Sequence, residues 1–481
     1  MAASFYFYDL ETSGFDPRTQ RIMQFAGQRT DLDLKPIGEP HNVLIKLTPE
    51  IVPDPDAILV TGITPQNTLA DGVTEVEFLK LFYDEIVQPD TTFLGYNTVR
   101  FDDEFMRFLH YRNFYDAYEW QWCDGCSRWD LLDVVRMTRA LRPEGIKWPF
   151  ASDGRPTNRL ELLTSLNGLD HANAHDALSD VHATIAVAKL IHDKQPDLFQ
   201  YLFKMRSKKE VVSLAQSGQP FVYTSGKYPG EFEKTTVVVN VVDHPKRQGA
   251  LVYDLRHDPD EFTKLSVGEL VERWKWMKEP DSPRLPVKTL QANRCPAVAP
   301  LGVLKQGDVM ERLKIDLDEI KQNLAKLHAA KDFPSKLLEA LEALDKKQQT
   351  AWVNDEQDVD SQLYDGFIGD EDKKVERAIR AAAPEKLSDW ADKLRDDRLK
   401  KLLPLYKARN YPNTLSVDER KAWEAFCKQR LLGGGQSSRL AKYFDRLQAL
   451  ANDTTLSGEK RYLLEELQLY AQSIMPVDDG E

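Results

Sequence analysis

Four carboxylates and one histidine stand in three places where residue type and spacing could do chemistry. The first is Tyr8-Asp9-Leu10-Glu11-Thr12-Ser13-Gly14, which closes the apolar run over residues 4–10. Residues two apart in a strand share a face, so Asp9 and Glu11 are expected to project together. Two carboxylates side by side at the end of a buried strand repel each other unless a positive charge lies between them. A divalent metal supplies that charge, and magnesium prefers such hard oxygen ligands. The second place is Gly95-Tyr96-Asn97-Thr98-Val99-Arg100-Phe101-Asp102, where a strand ends and Asp102 opens the next segment. The third is Asn173-Ala174-His175-Asp176-Ala177-Leu178-Ser179-Asp180. On one regular helix His175 and Asp180 would lie about 140° apart around the axis. They converge only if His175 sits on the loop entering a helix and Asp180 on the helix itself, and Asp176 suits the N-cap between them. Each fragment alone is common in an acidic chain, as the extra acids Asp103 and Glu104 beside Asp102 show.

These residues need elements to hold them. Over residues 1–198 strand and helix patterns alternate. Strands are expected at 4–10, 22–30, 42–47 and 92–96, and helices at 76–86, 129–141, 159–166 and 176–192. The run over 4–10 reads as a strand covered on both faces. The mixture predicts an α/β domain with a mixed sheet. Residues 199–350 change character. The stretch 235–242 is almost wholly β-branched, a second strand falls at 249–255, and a helical segment covers 309–329, giving a small β-rich domain with helical additions. Residues 351–481 are helical, with amphipathic stretches at 415–432 and 438–451. Gly433-Gly434-Gly435 is a turn between helices and not a phosphate loop, because no Lys-Ser/Thr follows it.

Composition narrows the classes. No stretch approaches the roughly 18 consecutive apolar residues of a membrane span. The opening Met-Ala-Ala-Ser-Phe-Tyr-Phe-Tyr-Asp has no basic n-region, so a cytoplasmic protein is expected. Four cysteines make no disulfide framework, and the Cys123-x-x-Cys126 pair lacks a second ligand pair at zinc spacing. The net charge of -13 argues against phosphate binding only if charge is spread evenly, and much of the acid lies in tracts such as 355–360, 370–372 and 478–481. Between the second and third acidic places, Arg107, Tyr118, Trp122, Arg128, Arg136 and Arg159 interleave cations with rings, the pairing that single-strand binders use. Tyr118-Glu119-Trp120-Gln121-Trp122 is expected to be extended, with its aromatics on one edge.

Taken in order, the acidic places resemble the Asp-Glu-Asp-Asp-His superfamily of 3′→5′ exonucleases, which has a ribonuclease-H-like fold. By that resemblance Asp9, Glu11, Asp102 and Asp180 fill the metal-binding positions and His175 the general-base position. Hydrolysis of a phosphodiester needs an in-line water and neutralisation of charge on the phosphorane, and two metals about 3.5–4 Å apart supply both. A histidine with an intrinsic pKa near 6.5 can accept the water's proton. Further stretches are similar to the bacterial exonuclease I family: Thr61-Gly62-Ile63-Thr64-Pro65, Tyr111-Arg112-Asn113-Phe114-Tyr115-Asp116, Ser127-Arg128-Trp129-Asp130-Leu131-Leu132-Asp133, Leu141-Arg142-Pro143-Glu144-Gly145-Ile146, Gln362-Leu363-Tyr364-Asp365-Gly366-Phe367 and Ala408-Arg409-Asn410-Tyr411-Pro412. The likeness spans nearly the whole chain and is loosest over 205–350.

It implies an exonuclease domain (1–198), an SH3-like domain (199–350) and a helical C-terminal domain (351–481). It also implies processive degradation of single-stranded DNA to 5′-mononucleotides in repair and recombination, with two Mg2+ ions for which Mn2+ can substitute. The implied state is a monomer that docks on the acidic tail of the single-stranded-DNA-binding protein. Substrate contacts are then expected at Glu11, Thr12, Arg107, Tyr118, Trp122, Arg128, Arg136 and Arg159, with Arg159 near the terminal nucleotide. Ser13 departs from the pattern, since an aromatic can stand there in the family. The alternatives are an exoribonuclease of the same superfamily and a non-catalytic single-strand-binding adaptor.

Overall fold

The computed structural model describes residues 3–169, 176–275, 283–352 and 358–476. The first sheet holds β1 (Ser4–Thr12), β2 (Ile22–Thr30), β3 (Pro36–Leu44), β4 (Thr91–Gly95) and β5 (Ser127–Asp130). Their spatial order is β3-β2-β1-β4-β5. β1 pairs antiparallel with β2 and parallel with β4, so the sheet is mixed. β1 is central, and its alternate side chains enter two different cores. Phe5 and Phe7 pack with Trp129, Leu131, Val181 and Ile191 on one face. Tyr6, Tyr8 and Leu10 pack with Phe25, Phe78, Phe82 and Trp120 on the other. That double cover explains the unbroken apolar run, which a half-solvated strand would not show.

The second sheet is antiparallel throughout, in the order β10-β6-β7-β8-β9, from β6 (Phe221–Thr224), β7 (Thr235–Asp243), β8 (Gly249–Asp254), β9 (Val287–Gln291) and β10 (Ala297–Pro300). It is the SH3-like unit. Its inner residues Val222, Val237, Leu251 and Tyr253 continue the core that begins at Phe5 and Trp129. The C-terminal region is helical, with Asp397–Asn410, Val417–Leu432, Arg439–Ala451 and Gly458–Ser473 as its main helices. The last two bury Leu440, Tyr443, Leu464 and Leu467 against Met23 and Ile58 of the first domain.

Local chemistry shifts several expected boundaries. The expected helix over 129–141 starts at Leu131, because Ser127–Asp130 joins the sheet and the Asp130 carboxylate caps the helix through the backbone N–H of Leu132 at 3.0 Å. The expected strand at 42–47 ends at Leu44 and begins earlier, at Pro36. The helix expected over 309–329 breaks into Val309–Arg312 and Leu317–Ala329, with Lys314 left-handed between them (φ 52°) and Asp316 capping the second piece. The segment 118–122 is not extended. Glu119–Gln121 forms a 3-10 turn. That turn sends Trp120 into the core against Phe82 and Phe93 and leaves Tyr118 and Trp122 at the surface.

The two tryptophans of this turn should therefore behave oppositely. Trp120→Ala removes a ring that is only 1% exposed and should cost about 3–5 kcal/mol of stability. Trp122→Ala, at a site 62% exposed, should stay within about 0.5 kcal/mol of wild type. Urea denaturation followed by circular dichroism measures both, and equal losses would contradict the turn.

Candidate active site

The acidic cluster is assembled by one strand and two helix starts. Asp9 and Glu11 project from the same face at the end of β1, where the pairing with β2 slips between Glu11 and Thr12. Asp180 lies in the first turn of the helix Ala177–Lys194. One oxygen from each of Asp9, Glu11 and Asp180 lies within 4.8 Å of the others. Asp102 opens the helix Asp102–Arg112, and its Oδ1 accepts the backbone N–H of Leu10, between Asp9 and Glu11, at 3.1 Å.

The helix carrying Asp180 is held at its start in two ways. Asp176 caps it, accepting the N–H of Ser179 at 3.1 Å. Gln24 on β2, opposite Glu11 in register, donates to Asp176 at 3.4 Å and accepts the N–H of Ala177 at 3.4 Å. Sequence reading missed Gln24, although its place in the strand expected at 22–30 was the available signal. His175 lies outside the described residues.

Burial and mutual charge determine the electrostatics. The Asp9 carboxyl is pushed well above the carboxylate range by burial, then by the charges of Asp102, Asp180 and Asp176. Glu11 is pushed up to about 9, again by burial first and then by Asp9, Asp180 and Asp176. Asp102 is raised chiefly by burial, with a backbone hydrogen bond opposing and Asp103 adding to the rise. An all-oxygen donor set held close and strained toward protonation fits hard divalent cations.

The expected substrate contacts fall into two groups. Asp9, Asp180, Tyr96, Arg136, Arg159 and Lys234 line one cleft of about 460 Å³. Arg136 is held by Asp133 at 2.7 Å, while Arg159 pairs with Glu161 and remains 67% exposed. Lys234, which follows the turn before β7 in the second domain, was not anticipated, because it falls where family likeness is loosest. Arg107, Tyr118, Trp122 and Arg128 form a separate group. The Arg107 guanidinium is buried between Glu104 (2.7 Å) and Gln121 (3.2 Å), under the ring of Tyr118. Arg128 is taken up by Asp103 and by the carbonyl of Asn293 at 2.7 Å. Neither arginine is thus a free cation, whereas Tyr118 and Trp122 are open rings. Thr12 is buried, and its hydroxyl donates to the carbonyl of Gly14 at 2.9 Å. Ser13 is fully buried, and the exposed ring nearby is Phe15, edge-on to Phe101 at 6.4 Å.

A ribonuclease-H-like mixed sheet with clustered carboxylates at the end of its central strand defines a metal-dependent nuclease. Family models agree along the chain: Exonuclease over residues 6–188, Exonuclease I SH3-like domain over 206–343 and Exonuclease I C-terminal domain over 357–474. Exodeoxyribonuclease I of Haemophilus influenzae is 39% identical over 479 residues, 98% of this chain and 99% of that protein. Among solved structures, exonuclease I from Methylocaldum szegediense superposes with TM-score 0.91 at 42% identity, covering 98% of this chain and all of that one. Escherichia coli exonuclease I in complex with a dA16 oligonucleotide gives TM-score 0.91 at 37% identity, with 98% and 100% covered. The chain belongs to the exonuclease I family.

Glu11 ties the cluster to pH. Its carboxyl rises from 4.5 to about 9 in the folded chain, so its contribution to stability is present below pH 4.5 and is lost as pH rises through about 9. A divalent cation held by the deprotonated cluster would offset that loss. A hard divalent cation, probed with magnesium, should therefore raise the melting temperature more at about pH 8.5 than at about pH 6. Thermal melts with magnesium or EDTA at both values decide it, and equal increments would contradict the assignment.

Proposed function

We propose that this chain hydrolyses single-stranded DNA from its 3′ end to 5′-mononucleotides. The observation that carries the reading is the convergence of Asp9, Glu11 and Asp180 within 4.8 Å, with Asp102 anchored on the strand between the first two. These four carboxylates would hold magnesium, with manganese as a substitute, at the end of β1. Bound cations supply charge neutralisation at the scissile phosphate and lower the pKa of the attacking water.

The chain's own residues do the rest. His175, which directly precedes the N-cap Asp176 in sequence, accepts the proton of the attacking water. Arg136, Arg159 and Lys234 face the same cleft as Asp9 and Asp180 and bind the phosphates of the 3′-terminal nucleotides. Glu11 and Thr12, beside the bulge, meet the terminal sugar. Tyr118 and Trp122 offer ring faces to bases further along the strand. Arg107 acts from behind one of these rings, stacked under Tyr118, and Arg128, held by Asp103 and the Asn293 carbonyl, adds positive charge beside the DNA path.

We take residues 1–198 as the catalytic domain, 199–350 as the SH3-like domain and 351–481 as the helical domain. The biological setting we infer is DNA repair and recombination in the cytoplasm. There a monomer works with the single-stranded-DNA-binding protein, a reading supported by a solved structure of SSB/exonuclease I in complex with an inhibitor.

Matched 5′-labelled DNA and RNA oligonucleotides, a duplex and an EDTA control test the activity. Metal-dependent shortening of single-stranded DNA from the 3′ end is expected, and preference for RNA would overturn the substrate assignment. Asp180→Ala should abolish cleavage while single-strand binding is kept. His175→Ala should lower kcat by ~10²–10⁴-fold at little change in KM. An unchanged rate would remove His175 from the proton transfer.

A further inference from the structure

A buried ion cluster joins the C-terminal domain to the turn that follows Glu11. Asp360 is fully buried and accepts three guanidiniums. Arg21 Nη2 lies at 2.6 Å, Arg409 grips it through both terminal nitrogens at 2.8 and 2.7 Å, and Arg430 Nη1 lies at 3.2 Å. Arg409 Nε also reaches Glu50 of the first domain at 2.8 Å. These charges hold the Asp360 carboxyl well below the usual carboxylate range against the opposing effect of burial.

Arg21 leads from this cluster to the acidic site. Its backbone N–H donates to the Ser13 hydroxyl at 2.8 Å, and its carbonyl accepts the Ser13 N–H at 2.9 Å. The Ser13 hydroxyl donates to Gln20 at 2.6 Å, and the Ser13 carbonyl accepts the N–H of Asp54 at 2.6 Å. Ser13 is therefore fixed on every polar atom, two residues after Glu11 and one after Thr12, where the β1–β2 register slips.

We propose that Asp360 is a positioning residue for the acidic cluster. Through Arg21 and Ser13 it fixes the Glu11–Thr12 end of β1, so that the C-terminal domain completes the hydrolytic site. This rests on the nuclease reading above. Carboxylates that repel one another relax apart unless their backbone is held, and the turn after Glu11 is where β1 loses its regular ladder to β2. Removing the anchor should weaken cation binding and slow turnover together, while contacts to DNA stay in place. Supporting residues around metal ligands typically influence affinity or activity by about 10–100-fold.

The test compares wild type, Asp360→Asn, Ser13→Ala and Arg446→Ala as full-length chains. Arg446 also joins the two domains, through Asp56 at 2.6 and 2.7 Å, but its pair is half exposed and makes no bond to Ser13. Calorimetry with manganese on DNA-free protein reads cation affinity. Steady-state kinetics on a short single-stranded DNA reads kcat and KM, and thermal melts check folding. Asp360→Asn and Ser13→Ala should bind manganese ~10-fold or more weakly and lose kcat by ~10–100-fold with KM within about twofold, while Arg446→Ala matches wild type. Wild-type manganese affinity in folded Ser13→Ala would overturn the proposal, as would equal losses in Arg446→Ala. If Asp360→Asn fails to fold, Ser13→Ala, which leaves the ion cluster intact, decides. If wild type cleaves no DNA, the nuclease reading fails, and the manganese affinities still judge the positioning role.

Discussion

Repulsion among buried carboxylates is the constraint that the rest of this structure serves. A pair of like charges about 4 Å apart interacts by roughly 4 kcal/mol at the effective dielectric constant typical near protein surfaces. Asp9, Glu11, Asp102 and Asp180 are brought together so closely that burial and neighbouring carboxylates raise the first three. No one of the three segments could hold that arrangement alone. It persists because β1 is clamped between two hydrophobic layers and two strand neighbours, and because each helix start is pinned separately. Asp176 and Gln24 pin the start of the Asp180 helix, and the Leu10 N–H pins Asp102. The protein gathers its carboxylates at the end of a strand packed on both faces, a placement from which a divalent cation would gain by binding.

The same constraint accounts for how charge is distributed. A chain with net charge -13 gains nothing from overall attraction to a polyanion. Its useful cations are placed locally, with Arg136, Arg159 and Lys234 around the cleft that contains Asp9 and Asp180. Lys234 comes from the SH3-like unit, so that unit helps form the cleft and is more than an appendage. Its inner strands also share one hydrophobic core with the catalytic sheet, running from Phe5 and Trp129 to Leu251 and Tyr253. Two layers that share a core move as one, which suits a site whose opposing walls come from different domains.

What the chain made legible followed from short-range physics. Asp9 and Glu11 could be paired because strand side chains alternate with period two. Asp180 could be placed in a first helical turn because Asp176 has the chemistry of an N-cap. Where local signals conflicted, reading went astray. The apolar run Trp129-Asp130-Leu131-Leu132 suits either a strand or a helix, and only the pairing of β5 with β4 shows that the element changes at Asp130. Tyr118, Trp120 and Trp122 alternate like a strand, yet burying Trp120 beside Phe82 and Phe93 favours a turn. Long-range partners left no local trace at all. Arg107 and Arg128 look like free cations in sequence, and only the fold reveals Glu104, Asp103 and the Asn293 carbonyl beside them.

The ion cluster around Asp360 is the extreme case, since its bond to Arg21 spans 339 positions. A buried carboxylate facing three arginines is poor value as a stabiliser. Desolvating four charges costs several kcal/mol each, and well-packed apolar residues of similar volume would often serve as well or better. Its advantage is directional. A guanidinium fork meeting a carboxylate fixes angles and distances that aliphatic packing leaves adjustable. Directional contact matters most where a small displacement is expensive, and the turn beside Glu11 is such a place, because an ångström of slack there changes the spacing of charges that already repel. On this view the polar interior between the first and last domains and the acidic cluster are two parts of one electrostatic design. A compensated set of charges is buried in the domain interface, where it steadies the carboxylates gathered at the end of β1.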